Sequence, residues 1–463
     1  MVIRLLLLPL SIFCMAAAAA ALTPQEAEAR LRMARQLARE RNDARLVESV
    51  EKLARDFKAG LPADAEEQLR KAETATGLDP GGWSMAGQPL YHPTPEMEAA
   101  LKATAPRLTT AMAAEDAQAV RRVTAEMAAI LGDQAGLPDG RRMGYKPTGR
   151  SLSRAEAVQL FLSALQTQGR TVRALMAGEM LPHQMLRIYA SVLEACVTMH
   201  PHVATCAPEK LPELEKLLRG TASVLLKLQQ PQGHFPFPDL RGINIRFGDM
   251  TEKQLQKNAI EIKDGWILTP DPDGGSQFDT GVCGVALLRA GRLLADEACL
   301  AAGQRAAQWA AAQKCCPNFN YNAFSVSLLA CAGMKEEALK KFRIGVAPGQ
   351  AANGRWIDSH NARTVYHLII LRALADLGPS EEVDAVAQPA IRALLDEFDT
   401  LGFTVEALPE LQALASQRPA DERLKKAVRG MASVIIGKCT NGTRVKMGSQ
   451  PQQLAALATL DEE

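Results

Sequence analysis

One 13-residue helical segment occurs twice in this chain, and that recurrence limits what the chain can fold into. Leu214-Glu-Lys-Leu-Leu-Arg-Gly-Thr-Ala-Ser-Val-Leu-Leu226 and Leu424-Lys-Lys-Ala-Val-Arg-Gly-Met-Ala-Ser-Val-Ile-Ile436 share seven of 13 positions. A fainter copy, Gly303-Gln-Arg-Ala-Ala-Gln-Trp309, lies between them. The three glycines at 220, 303 and 430 are 83 and 127 residues apart, close to two and three units of about 42 residues. Such a unit holds one helical hairpin with its connections. A lone hairpin cannot bury its apolar face, so the repeats must stack on one another.

A second regularity supports stacking. Helical stretches with little polar surface (Gly281 to Leu294, Tyr321 to Ala332, Asn361 to Leu377) alternate with more charged ones (Asp296 to Lys314, Met334 to Phe342, Glu381 to Phe398). A helix covered on both faces is apolar all round, and one at the surface is amphipathic. The alternation predicts an inner ring of helices inside an outer one. Residues 151–463 hold about seven units, or six with one long insertion. Pro231 to Gly275 is that insertion; it has no sustained helical period and is expected to form a lid or rim.

The remainder of the chain is simpler. Residues 1–22 read as a secretory signal, with Arg4 as the positive end, Leu5 to Met15 as the apolar run and alanines at the cleavage point. This predicts a secreted or periplasmic protein with no membrane span in the mature chain. Residues 23–150 are charged and helical in period, with a Gly/Pro break from Gly77 to Pro95 and a linker-like run from Gly132 to Arg150. They form a helical N-terminal module, through which a protein partner is an option. With 53 Lys+Arg against 52 Asp+Glu, a nucleic-acid partner is not expected. Loss of the signal removes Cys14 and leaves eight cysteines in an oxidising setting, where disulfides are expected. Cys196 with Cys206 is the plausible local pair. The alternative is a Zn or Cu site built from Cys196, His200, His202 and Cys206.

The whole pattern resembles the α/α-toroid class, which includes six-hairpin glycosidases, polysaccharide lyases and terpenoid cyclases. Leu228-Gln-Gln-Pro-Gln-Gly-His-Phe-Pro-Phe-Pro238 is similar to the Gln-x-Pro-x-Gly-Gly-Trp-Pro stretch of toroidal pectate lyases, with His234-Phe235 where that stretch has Gly-Trp. The expected fold is therefore all-α, with six to seven helical hairpins in a complete or incomplete α/α-toroid. The acidic motifs of terpenoid cyclases are missing. The resemblance implies a carbohydrate ligand, and a polysaccharide lyase or glycoside hydrolase if the protein is an enzyme. The alternative is a non-catalytic repeat protein that binds a glycan or a protein partner.

Aromatic residues narrow the search for a site. Residues 23–150 contain four, and residues 230–370 contain twelve. Flat apolar faces beside polar groups suit sugar rings, so His234, Phe235 and Trp266 are candidate substrate contacts. Gly354 to His367 is the strongest polar cluster, with Arg355, Trp356, Asp358, Asn361, Tyr366 and His367 as further contacts. A helix capped by Asp358 or Ser359 would put His360, Arg363 and His367 on one face. Asn320-Tyr321-Asn322 begins the preceding apolar helix and Asp279 the one before. In a toroid these helix starts share one mouth, so Asp279, Tyr321, His360 and Arg363 are the candidate catalytic residues. The resemblance implies two chemistries for them. In elimination, Arg363 would neutralise a uronate and Tyr321 or His360 would move the proton. Hydrolysis needs two carboxylates instead. No cofactor is expected; calcium held by Asp271, Asp273 and Asp279 is weighed against an ordinary Pro/Gly turn.

Overall fold

The computed structural model describes residues 44–76, 91–138, 144–181, 184–241, 260–271, 273–440 and 450–460, with Glu252 and scattered positions between 24 and 38. The signal reading at 1–22 lies outside the described residues. Those residues form an all-α helical-repeat fold with one small three-stranded sheet. The helices are α1 (Ala44–Ala59), α2 (Ala65–Thr76), α3 (Pro95–Ala113), α4 (Ala117–Leu131), α5 (Arg154–Thr167), α6 (Gly169–Met176), α7 (Leu186–Cys206) and α8 (Leu211–Leu228). After the sheet come α9 (Gly275–Leu294), α10 (Glu297–Ala312), α11 (Phe319–Cys331), α12 (Lys335–Gly345), α13 (Thr364–Leu377), α14 (Glu381–Leu401), α15 (Leu408–Gln417), α16 (Glu422–Thr440) and α17 (Gln450–Leu457).

Every second helix belongs to an inner set. α7 packs on α9, α9 on α11, α11 on α13, α13 on α15 and α15 on α17, and α17 returns to α7. The circuit of six is closed by the C-terminal helix, with α5 packed against both α17 and α7. From α9 onward the inner helices begin at Gly275, Phe319, Thr364, Leu408 and Gln450, a repeat of 42–45 residues. The recurrent sequence segment is an outer helix both times, α8 and α16. Leu214, Leu217, Leu218, Thr221 and Ala222 are buried, and so are their counterparts Leu424, Ala427, Val428, Met431 and Ala432. The shared glycines mark close crossings. A Cβ at Gly220 would lie 2.0 Å from the Leu175 carbonyl oxygen, and one at Gly303 2.5 Å from Leu288 Cγ.

The N-terminal segments contribute to two cores. Ala27, Leu31, Ala34, Val50, Phe57, Ala65 and Leu69 form a small core of their own. The main core already includes Leu101 and Leu108 of α3 and Val120 and Val123 of α4, and it runs on to Ala458. Packing thus crosses the boundary expected near 150. Glu115, in the α3–α4 turn, accepts from Lys340 at 2.5 Å and pairs with Lys314 at 3.2 Å. The linker-like run is docked where it is described: Gly144 N–H donates to Leu401 O at 2.8 Å, and Tyr145 pairs with Phe403 as an antiparallel bridge.

The insertion between α8 and α9 carries the sheet, β1 (Phe237–Pro238), β2 (Ile262–Lys263) and β3 (Trp266–Ile267), in the order β1-β3-β2 and antiparallel throughout. Asp264 and Gly265 both have positive φ, 51° and 79°. That is the backbone an Asp-Gly two-residue hairpin turn requires.

Candidate functional site

Side chains at the starts of three inner helices meet, and a fourth start holds a ring pair of its own. On α7, Arg187 donates through Nε to Asp279 Oδ1 at 3.3 Å and through Nη2 to Oδ2 at 3.5 Å. Asp279 is in the second turn of α9. The same guanidinium lies 3.8 Å from the centroid of the Phe278 ring. Phe278 stacks on Phe324 of α11 at 4.0 Å and stands 6.3 Å from Tyr321. From α13, Tyr366 packs on His360 with ring centroids 3.9 Å apart. Burial pushes the Tyr321 phenol above its ordinary value, and the charge of Asp271 acts in the same direction. Asp279 is raised by burial, with the Arg187 charge opposing.

Solvent reaches these helices along one stripe each. On α9 the partly exposed positions include Phe278, Val282 and Arg289; on α11, Tyr321, Phe324 and Ser327; on α13, Tyr366, Ile369, Arg372 and Asp376. The residues between them are largely buried. Positions three or four apart lie on one helix face, so each set forms a stripe along its helix. The arrangement is a set of partly exposed rings, Phe278, Phe324 and Tyr321 beside the Arg187–Asp279 ion pair and Tyr366 on His360.

Of the four expected catalytic residues, Asp279 and Tyr321 belong to this group of contacts, and His360 packs on Tyr366. Arg363 is partly exposed and is the N-cap residue of α13. The helix expected from Asp358 onward begins only at Thr364. Asp358 Oδ1 accepts from Asn361 N–H at 2.8 Å, and its carboxylate accepts from the Asn361 amide at 2.9–3.0 Å. The carboxylate thereby closes a turn that places His360 ahead of the helix, so His360 and His367 do not share a helical face. Asp358 itself is partly exposed and raised by burial, with the Asn361 bonds opposing.

Most of the expected substrate contacts face the interior instead. His367 is fully buried, with Nε2 2.8 Å from Ala390 O and its ring edge-on to Trp356. Trp356 is also fully buried and donates Nε1–H to Val346 O at 3.0 Å. Arg355 is held by Glu397 at 2.8 Å and by the Ala362 and Ala393 carbonyls. Asn322 pins a loop: its amide donates to Cys316 O and Gly345 O, both at 2.8 Å. Asn320 and Asn361 are buried and bonded to each other, the Asn320 amide donating to Asn361 Oδ1 at 2.8 Å. This ties the starts of α11 and α13 together. In the rim, His234, Phe235 and Trp266 are buried, and His234 Nε2 lies 2.8 Å from Leu268 O.

Arg187 escaped the sequence reading, while Phe278 and Phe324 were counted among the twelve aromatics at 230–370, Phe324 as core filling. Arg187 opens the first inner helix, where the repeat is stretched by the long insertion and its register could not be counted. Phe278 and Phe324 had a usable signal: each lies at most three residues from a residue already singled out, Asp279 or Tyr321, at the start of an apolar helix.

The cysteine expectation is overturned. All eight described cysteines are free thiols. Cys196 and Cys206 lie in the single helix α7, which separates them by about 15 Å along its axis, beyond disulfide reach. Burial pushes the Cys196 thiol up to about 12. His200 instead contacts Glu215 at 2.9 Å. Among the described residues no group of three or more metal-type side chains is placed to hold an ion. Asp271 caps its own turn, accepting from Asp273 N–H at 2.9 Å and Gly275 N–H at 3.2 Å. No described helix is long and apolar enough to cross a membrane.

No protein-family model matches the chain, and no curated protein matches it in sequence. Among solved structures it is similar to one described as "structure of AaCel9A in complex with cellobiose-like isofagomine", at 17% identity and a TM-score of 0.29. The similarity covers 59% of this chain and 54% of that one, so the chain spans about half of the structure it matches. A likeness this low fixes neither fold nor ligand.

Proposed function

We propose that the chain is an exported carbohydrate-active protein, an α/α-toroid of six hairpins that seats a saccharide at the starts of its inner helices and hydrolyses it. The observation that carries this reading is the set of aromatic rings. Phe278, Phe324 and Tyr321 gather beside the Arg187–Asp279 pair, and Tyr366 stacks on His360 at the start of the next inner helix. Aromatic faces cover the apolar faces of a sugar ring, and the ion pair offers donors and acceptors to its hydroxyls.

Hydrolysis fits the group chemistry better than elimination. Elimination through Tyr321 needs a phenolate, and burial pushes that phenol in the protonated direction. Hydrolysis needs one protonated and one charged carboxyl group. In this reading Asp358 and Asp279, both raised by burial, are the two carboxyl groups, and the Arg187 charge opposes the rise at Asp279. A specific observation favours the non-catalytic reading: the Asp358 carboxylate already accepts bonds within its own turn.

The test is incubation with neutral and uronic-acid polysaccharides, reading both new reducing ends and the ultraviolet absorbance of unsaturated products. Reducing ends without unsaturation, lost in Asp279→Asn and in Asp358→Asn, are expected. Unsaturated product would move the reading to elimination. Binding without either product would leave a glycan-binding protein.

A further inference from the structure

A cleft of about 480 Å3 opens between the end of α6 and the outer helix α8, a volume in the range of small-molecule sites. Met176, Ala177 and Pro212 give it an apolar wall, and Glu215, Lys216, Arg219 and Ser223 are its polar side chains. The carboxylate and the helix end around it already have donors. Glu215 meets His200 at 2.9 Å. The last carbonyls of α6 are met inside their own turn, Ala177 N–H donating to Arg173 O and Ala174 O, and Gly178 N–H to Leu175 O. Gly178 O accepts from Lys227 Nζ at 3.0 Å. The side-chain donors, by contrast, are free. The Lys216 ammonium, the Arg219 guanidinium and the Ser223 hydroxyl have no hydrogen-bond or ion-pair partner among the described residues.

The second copy of the recurrent segment is covered where this one is open. Lys216, Arg219, Gly220 and Ser223 correspond to Lys426, Arg429, Gly430 and Ser433 of α16. There Thr148 N–H donates to the Ser433 hydroxyl at 2.9 Å, and the Thr148 hydroxyl donates to Ser433 O at 3.0 Å. A Cβ at Gly430 would lie 2.7 Å from Phe403 and 3.3 Å from Pro147. Pro147-Thr148 of this chain thus lies along α16 and satisfies its serine. Along α8 the end of α6 stands over Gly220 instead, and it leaves the Ser223 hydroxyl unbonded.

We propose that the α8 cleft binds a small organic dianion, a phosphate monoester whose oxygens accept from Lys216, Arg219 and Ser223 while its organic part lies on Met176 and Pro212. A guanidinium presents a fork of donors to phosphate oxygens, and an ammonium a point charge. Lys227, at the Gly178 end, adds a third positive charge against the one carboxylate of Glu215, so a doubly charged ligand is favoured over a singly charged one. The site shares no residue with the aromatic rings and is independent of the saccharide reading.

Titration calorimetry on the full chain tests this, at constant ionic strength and at a pH above about 7, where a phosphate monoester is doubly charged. The probes are phenyl phosphate and benzoate. Phenyl phosphate is expected to bind, and benzoate, the same ring with one charge, to bind roughly tenfold or more weakly. Lys216→Gln and Arg219→Gln are each expected to weaken phenyl phosphate by roughly tenfold. Both side chains are exposed, so neither change reaches the core. Lys426→Gln, at the covered copy, is expected to leave the affinity unchanged. No binding of phenyl phosphate, or equal affinity in the Lys216 and Arg219 variants, would overturn the site. Benzoate binding as tightly would overturn the preference for a dianion. A loss in Lys426→Gln as large as in Lys216→Gln would show charge attraction without a built site, and would overturn it too.

Discussion

Arg355 and Glu397 are each 3% exposed and bonded at 2.8 Å, inside the packing between α13 and α14. In the sequence Arg355 stands in a cluster that looks functional, because Gly, Trp, Asp and His surround it. Its partner is 42 residues away on an outer helix, which no local pattern reveals. Glu397 also accepts from the Thr364 and Thr404 hydroxyls. Arg355→Met would leave Glu397 as a buried charge without its counter-ion, a loss of about 3–5 kcal/mol, to be read as a lower urea midpoint. The buried imidazoles carry a second expectation. Burial holds His234 and His367 below the ordinary value of 6.5. As pH falls below 6.5 the unfolded chain takes up protons at these sites and the folded chain does not, so their stabilisation is complete above 6.5 and is lost on acidification. The raised carboxyls Asp279 and Asp358 act with the opposite sign: their contribution is complete below 3.8 and is lost as pH rises through their folded values. Urea midpoints measured from pH 7.5 down to 5.5, roughly the imidazole range, should therefore fall less in His367→Asn than in the unaltered protein. Parallel slopes would show that His367 is not held neutral.

Among elements, the inner helices were legible because burial on both faces strips a sequence of charge, and the outer ones because their amphipathic segment recurs. The start of α13 was not. Asp358 is a good N-cap residue by type, but it spends its carboxylate on the Asn361 turn, and the helix waits until Thr364. The rim sheet was missed for another reason: strands of two residues carry no alternation, and only Asp264-Gly265 betrays the hairpin. Gly281 has a testable part in how α9 meets α11. A Cβ there would lie 2.7 Å from Phe324 Cβ and 2.9 Å from its carbonyl oxygen, so the contact is against backbone that cannot swing aside. Gly281→Ala should push the two helices apart, cost about 1–3 kcal/mol and disturb the Phe278–Phe324 stack. The check is a thermal melt together with the near-ultraviolet circular dichroism of the aromatic residues. An unchanged melt would mean the crossing is looser than drawn.

For the whole molecule, the repeat length foretold stacked hairpins, but it left open whether the stack closes. Closure depends on α17, a helix of eight residues packed on α7 and α5, which come from the other end of the repeat. Neither its brevity nor its distant partners mark it in sequence. Its Gln453 accepts from Leu408 N–H at 2.8 Å, and Gln452 donates to Glu194 of α7. A chain ending at Thr440 should lose cooperative unfolding, because α7 and α15 would each expose a face built for a neighbour; a single sharp urea transition in that chain would contradict closure. The central claim is that a saccharide seats against the aromatic rings at the starts of the inner helices. Calorimetric titration of linear hexasaccharides of β-glucan, α-glucan and α-galacturonan into the unaltered protein and into Tyr366→Ala tests it most directly. The account predicts binding by the unaltered protein, with a loss of about tenfold or more in Tyr366→Ala at an unchanged melting temperature. Equal affinity in the two proteins, or binding by neither, would contradict it.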